Sequence, residues 1–181
     1  VQAGGPEPGQ RRRRMSALAG LRAACLYEGP LERAIHRFKY EGWRSLDAPL
    51  AGLMADLLAI EPPPGRLLVA VPLHRDRLRA RGYNQAELLA VQLRRRFRLQ
   101  APAGALRRLR DTPPQVGQDR VRRRLNVEAA FEWEGPPLRG EPVLLVDDVA
   151  TTGATLNACA AALRGGGSGA VTGLSLARVP L

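Results

Sequence analysis

Aromatic side chains are scarce in this chain, at 4% of its residues, so an apolar core has to be assembled from Leu, Val and Ala. Few aromatics also leave few platforms on which nucleic-acid bases could stack. Lysine is nearly missing: of the 28 Lys and Arg residues only Lys39 is a lysine. Cysteine is limited to Cys25 and Cys159, far apart and without a CxxC spacing. That excludes a disulfide framework or a zinc ribbon, and both residues read as small apolar side chains on helices. No apolar run approaches the roughly 20 residues of a membrane span. The first residues lack the apolar segment of a signal peptide, so the expected location is cytoplasmic. The glycine patterns GxxxxGK[ST] and GxGxxG are absent, which excludes a Walker loop and a dinucleotide fingerprint.

What is present is positive charge. The chain of 181 residues carries a formal net charge of +11, with 45% hydrophobic residues. The length suits one domain with a small appendage. The charge suits an anionic partner such as a nucleotide, a pyrophosphate or a nucleic acid.

The chain divides into three expected parts. Residues 1–26 form a basic, flexible lead-in, Gly/Pro-rich and then four arginines at 11–14. Order is expected from Ser16, with a short apolar helix over 16–26. Residues 27–64 form a small helical hood. Leu31, Ile35 and Phe38 fall at helical spacing after Pro30, and Gly42 stops that helix. A second helix over 46–60 places Leu50, Leu53, Met54 and Leu57 on one face. Pro62, Pro63, Pro64 and Gly65 make a stiff linker. Residues 65–181 form the core: the apolar run at 67–71 is a strand buried on both faces, and 72–82 is a loop with five basic residues. Asn84 caps a helix striped with Leu89, Leu93 and Phe97. Short strands follow near Leu106 and at 129–133, separated by a long Arg-rich loop. The central strand is 143–147, then come a helix over 155–164 and a last strand over 170–176. Strand–helix alternation of this kind implies an α/β fold with a parallel sheet flanked by helices. Ligands bind such sheets beyond the carboxyl ends of the strands.

The most specific stretch runs from Val143 to Leu156. A buried strand ends in Asp147 and Asp148, and Val149, Ala150, Thr151, Thr152, Gly153, Ala154 and Thr155 lead directly into a helix. Paired carboxylates accept hydrogen bonds from neighbouring hydroxyls, and a helix N-terminus with loop amides suits a phosphate. The stretch resembles the phosphoribosyl-pyrophosphate loop of type I phosphoribosyltransferases. That resemblance implies the phosphoribosyltransferase fold. It places Asp147 and Asp148 on the ribose hydroxyls as the catalytic pair, with any metal contact indirect, and residues 149–155 around the 5′-phosphate. It also implies Mg²⁺ as the cofactor and phosphoribosyl pyrophosphate as the ligand.

Three further stretches are similar to the ComF family, a phosphoribosyltransferase-like family linked to competence and DNA uptake. Residues 71–89 follow its PVPLHxxRLxxRGFNQAELLA signature, with Tyr83 in place of Phe. The resemblance assigns Pro72, Leu73, His74, Arg75 and Arg81 to the pyrophosphate and Mg²⁺ side. Thr112, Gln115, Arg120, Arg123, Asn126 and Val127 match its hood-loop pattern, although Gln118 replaces the usual Leu. Tyr27, Glu28, Gly29 and Pro30 through Ile35, Lys39, Tyr40 and Gly42 match its YEGPLxxAIxxxKYxG segment. Lys39 is assigned to the hood: where arginine is used everywhere else, a retained lysine suggests a site that accepts a compact ammonium and not a guanidinium fork. Many family members carry an N-terminal four-cysteine zinc ribbon; only Cys25 is found there, so no zinc is expected.

Two functions compete. One is a phosphoribosyltransferase acting on a nitrogen acceptor or water. The other is a non-catalytic ligand sensor, or a competence factor that binds single-stranded DNA or a helicase. The net charge favours the DNA reading and the shortage of aromatics weighs against it.

Overall fold

The computed structural model describes residues 16–109 and 130–180. The arginines at 11–14 and the hood-loop residues Thr112, Gln115, Gln118, Arg120, Arg123, Asn126 and Val127 lie outside the described residues.

Four parallel strands form the central sheet: β1 (Leu18–Leu26), β2 (Leu67–Ala70), β5 (Val143–Ala150) and β6 (Val171–Arg178), in the order β1-β6-β5-β2. The apolar run at 143–146 explains why β5 is central. Those four residues are wholly buried, as expected for a strand covered on both faces. β6 pairs with β5 from Val143↔Val171 to Ala150↔Arg178, and β2 pairs with it from Leu67↔Val143 to Ala70↔Val146.

The helices are α1 (Gly29–Tyr40), α2 (Asp47–Ile60), α3 (Arg75–Arg81), α4 (Gln85–Phe97) and α5 (Ala154–Gly165), with a 3₁₀ turn at Arg44–Leu46. α2 and α4 pack on one face of the sheet and α5 covers the other. α4 leads from β2 outward to a parallel bridge between Leu67 and Gln100, while α5 leads from β5 to β6 on the other side, so the chain leaves β2 and β5 in opposite directions and a crevice opens between their carboxyl ends. α1 lies across those ends. Its lead-in residue Tyr27 donates from its N–H to the Arg178 carbonyl at the end of β6.

Four expectations need correction. Residues 18–26 form a strand, not a helix or a flexible tail. Leu18, Leu21, Ala23 and Cys25 pair along β6, so a segment whose period looked ambiguous is recruited by a ready-made neighbour. Cys25 thus sits on a strand, while Cys159 is on a helix as expected. Residues 75–81 are helical. His74 caps that helix by accepting from the Asp76 N–H at 3.4 Å, and Gly82 ends it in the left-handed region. The inward face of α2 is Leu50, Ala51, Met54, Ala55 and Leu58, while Leu53 is 40% exposed. The alanines let α2 approach the sheet closely and rotate the stripe away from Leu53.

Strands β3 (Ala105–Arg108) and β4 (Phe131–Glu134) form a separate antiparallel pair. This pair docks on α5 through Trp133. A methyl group on Gly166 would lie 2.4 Å from the Trp133 ring, and one on Gly104 would lie 2.6 Å from it. The indole N–H donates to the Pro136 carbonyl at 3.0 Å. Because the pair carries Arg108, its docking decides where that guanidinium sits. Gly166→Ala should destabilise the protein by about 1–3 kcal/mol through overpacking alone, since Gly166 has an ordinary backbone conformation. Urea denaturation tests this, and an unchanged midpoint would contradict the packing.

Candidate functional site

The carboxyl end of β5 opens into a cleft with a cavity volume of about 160 Å³, roughly that of five water molecules. Each wall comes from a different element. β5 supplies Asp147 and Asp148, and α5 supplies Thr155 from its first turn. The segment after β2 supplies Val71, Pro72 and Leu73. α3 supplies Arg77 and Arg81, the start of α4 supplies Asn84, Gln85 and Ala86, α1 supplies Lys39 and Tyr40, and β3 supplies Arg108.

Neighbouring residues of a strand point to opposite faces, so the two aspartates meet different surroundings. Asp148 is buried and pairs with Lys39, whose Nζ lies 2.8 Å from its Oδ1. Asp147 is half-buried, and its Oδ1 accepts from the Asp148 N–H at 2.9 Å. Burial pushes the Asp147 carboxyl up to about 7, and the adjacent Asp148 charge adds to that rise. The Asp148 N–H, Lys39 and Arg108 act in the opposite direction. On α5, the wholly buried Cys159 thiol is pushed well up, first by burial and then by the Asp147 charge. That makes Cys159 an inert thiol beneath the site.

The phosphate-type loop is narrower than its sequence outline. Val149 and Ala150 belong to β5, paired with Ala177 and Arg178, and the Ala150 carbonyl accepts from Val179. The exposed Thr151 and Thr152 then lead to Gly153, which turns the chain at φ +74° and opens α5 without a side-chain cap. The Thr152 hydroxyl accepts from the Ala154 N–H at 3.4 Å. The first amides of a helix have no partner within it, and here they open beside the acid pair.

On the opposite wall the structure divides the expected residues. Pro72, Leu73 and Arg81 line the cleft. His74 and Arg75 do not: His74 is occupied as the α3 cap, and Arg75 is exposed on the outer side of the first turn. Arg77 lines the cleft instead, one turn before Arg81 on the same helical face. Reading 72–82 as a loop left Arg77 unassigned, although the R-L-x-x-R of the resembled signature carries that spacing. Arg81 also stacks over Tyr40 at 5.0 Å and donates to the Gln85 side chain. Arg108 had no signal in the sequence, because the docking of β3–β4 alone brings it here. Four cationic side chains therefore surround two carboxylates. Among the described residues there is no group of three or more His, Cys, Asp or Glu side chains placed to hold a metal.

A carboxyl raised by folding binds its proton more readily in the native state than in the unfolded chain. Stability is then full below the unfolded value near 3.8 and falls as pH rises toward 7. Asp147→Asn keeps the acceptor oxygen and removes the charge. It should therefore be more stable than the parent above pH 7, by up to about 4 kcal/mol for the full rise from 3.8 to about 7 and less where solvent reaches the carboxyl, with the gain shrinking toward pH 4. Urea midpoints across that range test this, and a gain independent of pH would refute it.

Comparison with known proteins places the chain. No family model matches it. It is 36% identical over 150 residues to Competence protein F of Haemophilus influenzae, covering 76% of this chain and 63% of that protein. It is 33% identical over 154 residues to DNA utilization protein YhgH of Escherichia coli K12, covering 80% and 66%. It is 29% identical over 143 residues to Competence protein ComFC of Bacillus subtilis, covering 78% and 57%. The chain thus spans a little under two thirds of the length of these relatives. Among the described residues no helix is long and apolar enough to cross a membrane. With the parallel sheet, the acid pair at its carboxyl edge and these relatives taken together, the chain belongs to the ComF family.

Proposed function

We propose that the cleft binds phosphoribosyl pyrophosphate with Mg²⁺, and that the protein serves a ComF-type role in DNA uptake or nucleotide metabolism. The observation that carries this reading is the acid pair facing the Arg77, Arg81 and Arg108 wall across a small cleft. Asp147 and Asp148 accept from the ribose hydroxyls. The α5 amides and Thr155 receive the 5′-phosphate, where fixed dipoles favour negative charge. Arg77 and Arg81 meet the pyrophosphate; a Mg²⁺ carried by its phosphate oxygens, with Asp147 and Asp148 in indirect contact, would supply charge screening there. In a transfer, the C1–pyrophosphate bond breaks, a nitrogen acceptor or water bonds to C1, and the acceptor's proton is lost. Asp147, held near neutrality, is the group suited to take it. Asp148, paired with Lys39, is placed to steady the oxocarbenium-like sugar.

Calorimetric titration with phosphoribosyl pyrophosphate and Mg²⁺ tests the reading. Asp148→Asn should weaken binding at least tenfold, the loss of charged hydrogen bonds worth about 1.5–3 kcal/mol. Pyrophosphate released with an acceptor present marks an enzyme, and binding without release marks a sensor. No binding by the parent protein ends the phosphoribosyl reading.

A second reading, contact with single-stranded DNA, is favoured by one surface. Tyr40 is 66% exposed and Trp43 is 46% exposed. Arg81 lies over Tyr40, and Arg37 lies 4.9 Å from the Trp43 ring. Two of the scarce aromatics are thus exposed, each beside an arginine, and Tyr40 lines the cleft. Tyr40→Ala with Trp43→Ala should weaken binding of a labelled single-stranded oligonucleotide by about 1–3 kcal/mol per stacked base. Fluorescence anisotropy at fixed salt measures it, and an unchanged affinity rejects this surface.

A further inference from the structure

Lys39 holds its ion pair from an unpromising position. It lies in the last turn of α1, where helices fray, and its side chain has four rotatable bonds. Yet Nζ sits 2.8 Å from Asp148, with 18% of the side chain exposed. Something fixes the backbone beneath it.

The last carbonyls of a helix lack intrahelical partners. At this end the Arg37 carbonyl accepts from the Glu41 and Trp43 N–H groups. The Phe38 carbonyl is taken by side chains from another part of the chain. The Tyr83 hydroxyl donates to it, and the Gln85 side-chain amide donates to it at 3.5 Å. Both donors are buried at the start of α4. The Phe38 carbonyl and the Lys39 N–H belong to one planar peptide unit, so pinning that oxygen orients the Lys39 Cα. On the other side of Lys39, the Tyr40 ring is stacked against Arg81, which itself donates to Gln85.

We propose that Tyr83 and Gln85 are positioning residues. By holding the Phe38 carbonyl they seat the Lys39 ammonium on Asp148. Tyr83 thereby acquires a purpose where the resembled signature carries Phe: its ring fills the same space and its hydroxyl adds the second donor. The role of the seated ammonium, covering Asp148 until ligand hydroxyls replace it, rests on the phosphoribosyl reading. The seating itself does not, and it can be measured without ligand. A failed phosphoribosyl titration and a failed seating test are therefore separate outcomes.

Because Lys39 is the sole lysine, trace acylation with acetic anhydride followed by peptide mass spectrometry reports its reactivity alone, with the N-terminal amine as reference. Alkylation of the wholly buried Cys159 reports general opening of the fold. Asp148→Asn removes the ion pair and sets the ceiling. Tyr83→Phe and Gln85→Leu should each raise Lys39 acylation about threefold or more, while Cys159 stays protected. Tyr83→Phe keeps the buried ring, so it remains informative if Gln85→Leu folds poorly. The proposal is overturned if both variants acylate at the parental rate while Asp148→Asn is faster. It is equally overturned if Asp148→Asn changes nothing, or if Cys159 alkylation rises in step with Lys39.

Discussion

Asp147 and Asp148 are adjacent carboxylates at the end of a strand whose preceding residues are wholly buried. Their charges repel, and neither can leave without unravelling β5. The surroundings resolve that repulsion asymmetrically. Asp148 receives the Lys39 ammonium at 2.8 Å. Asp147 receives a backbone N–H and more distant cations, and its carboxyl rises to about 7. Two chemically identical side chains thereby meet two different environments, and perturbed carboxyls of this kind cluster at functional sites.

The rest of the fold brings cations to that point. β5 and β2 end side by side, so the residues after β2 face the acids. α3 turns Arg77 and Arg81 inward, and Trp133, lodged between Gly104 and Gly166, holds the strand pair that carries Arg108. α1 spans the carboxyl edge of the sheet. The four cations arrive on three different elements, so the charge balance of the cleft depends on the packing of the whole domain.

Much of this was legible beforehand where a signal is local. Continuous apolar runs marked β2 and β5, Asn84 marked the start of α4, and the motif around Asp147 marked the site. Reading failed where the deciding partner is remote. β1 is a strand because β6 offers it an edge, and nothing within residues 16–26 says so. Arg77 was passed over because α3 depends on a histidine cap and a left-handed glycine, both weak signals in a basic stretch. On α2 the apolar residues permit more than one buried face, and contact with the sheet selects among them.

Sequence alone determined the order of the elements from α1 onward apart from α3, the acid pair and its threonine loop, and the excess of positive charge, because these rest on residue type and near-neighbour spacing. The tertiary structure alone decided which cations meet which acid. Lys39 lies more than 100 positions from Asp148 and Arg108 lies about 40 from Asp147, and ion pairing acts over a few ångströms, a distance that only the folded chain defines.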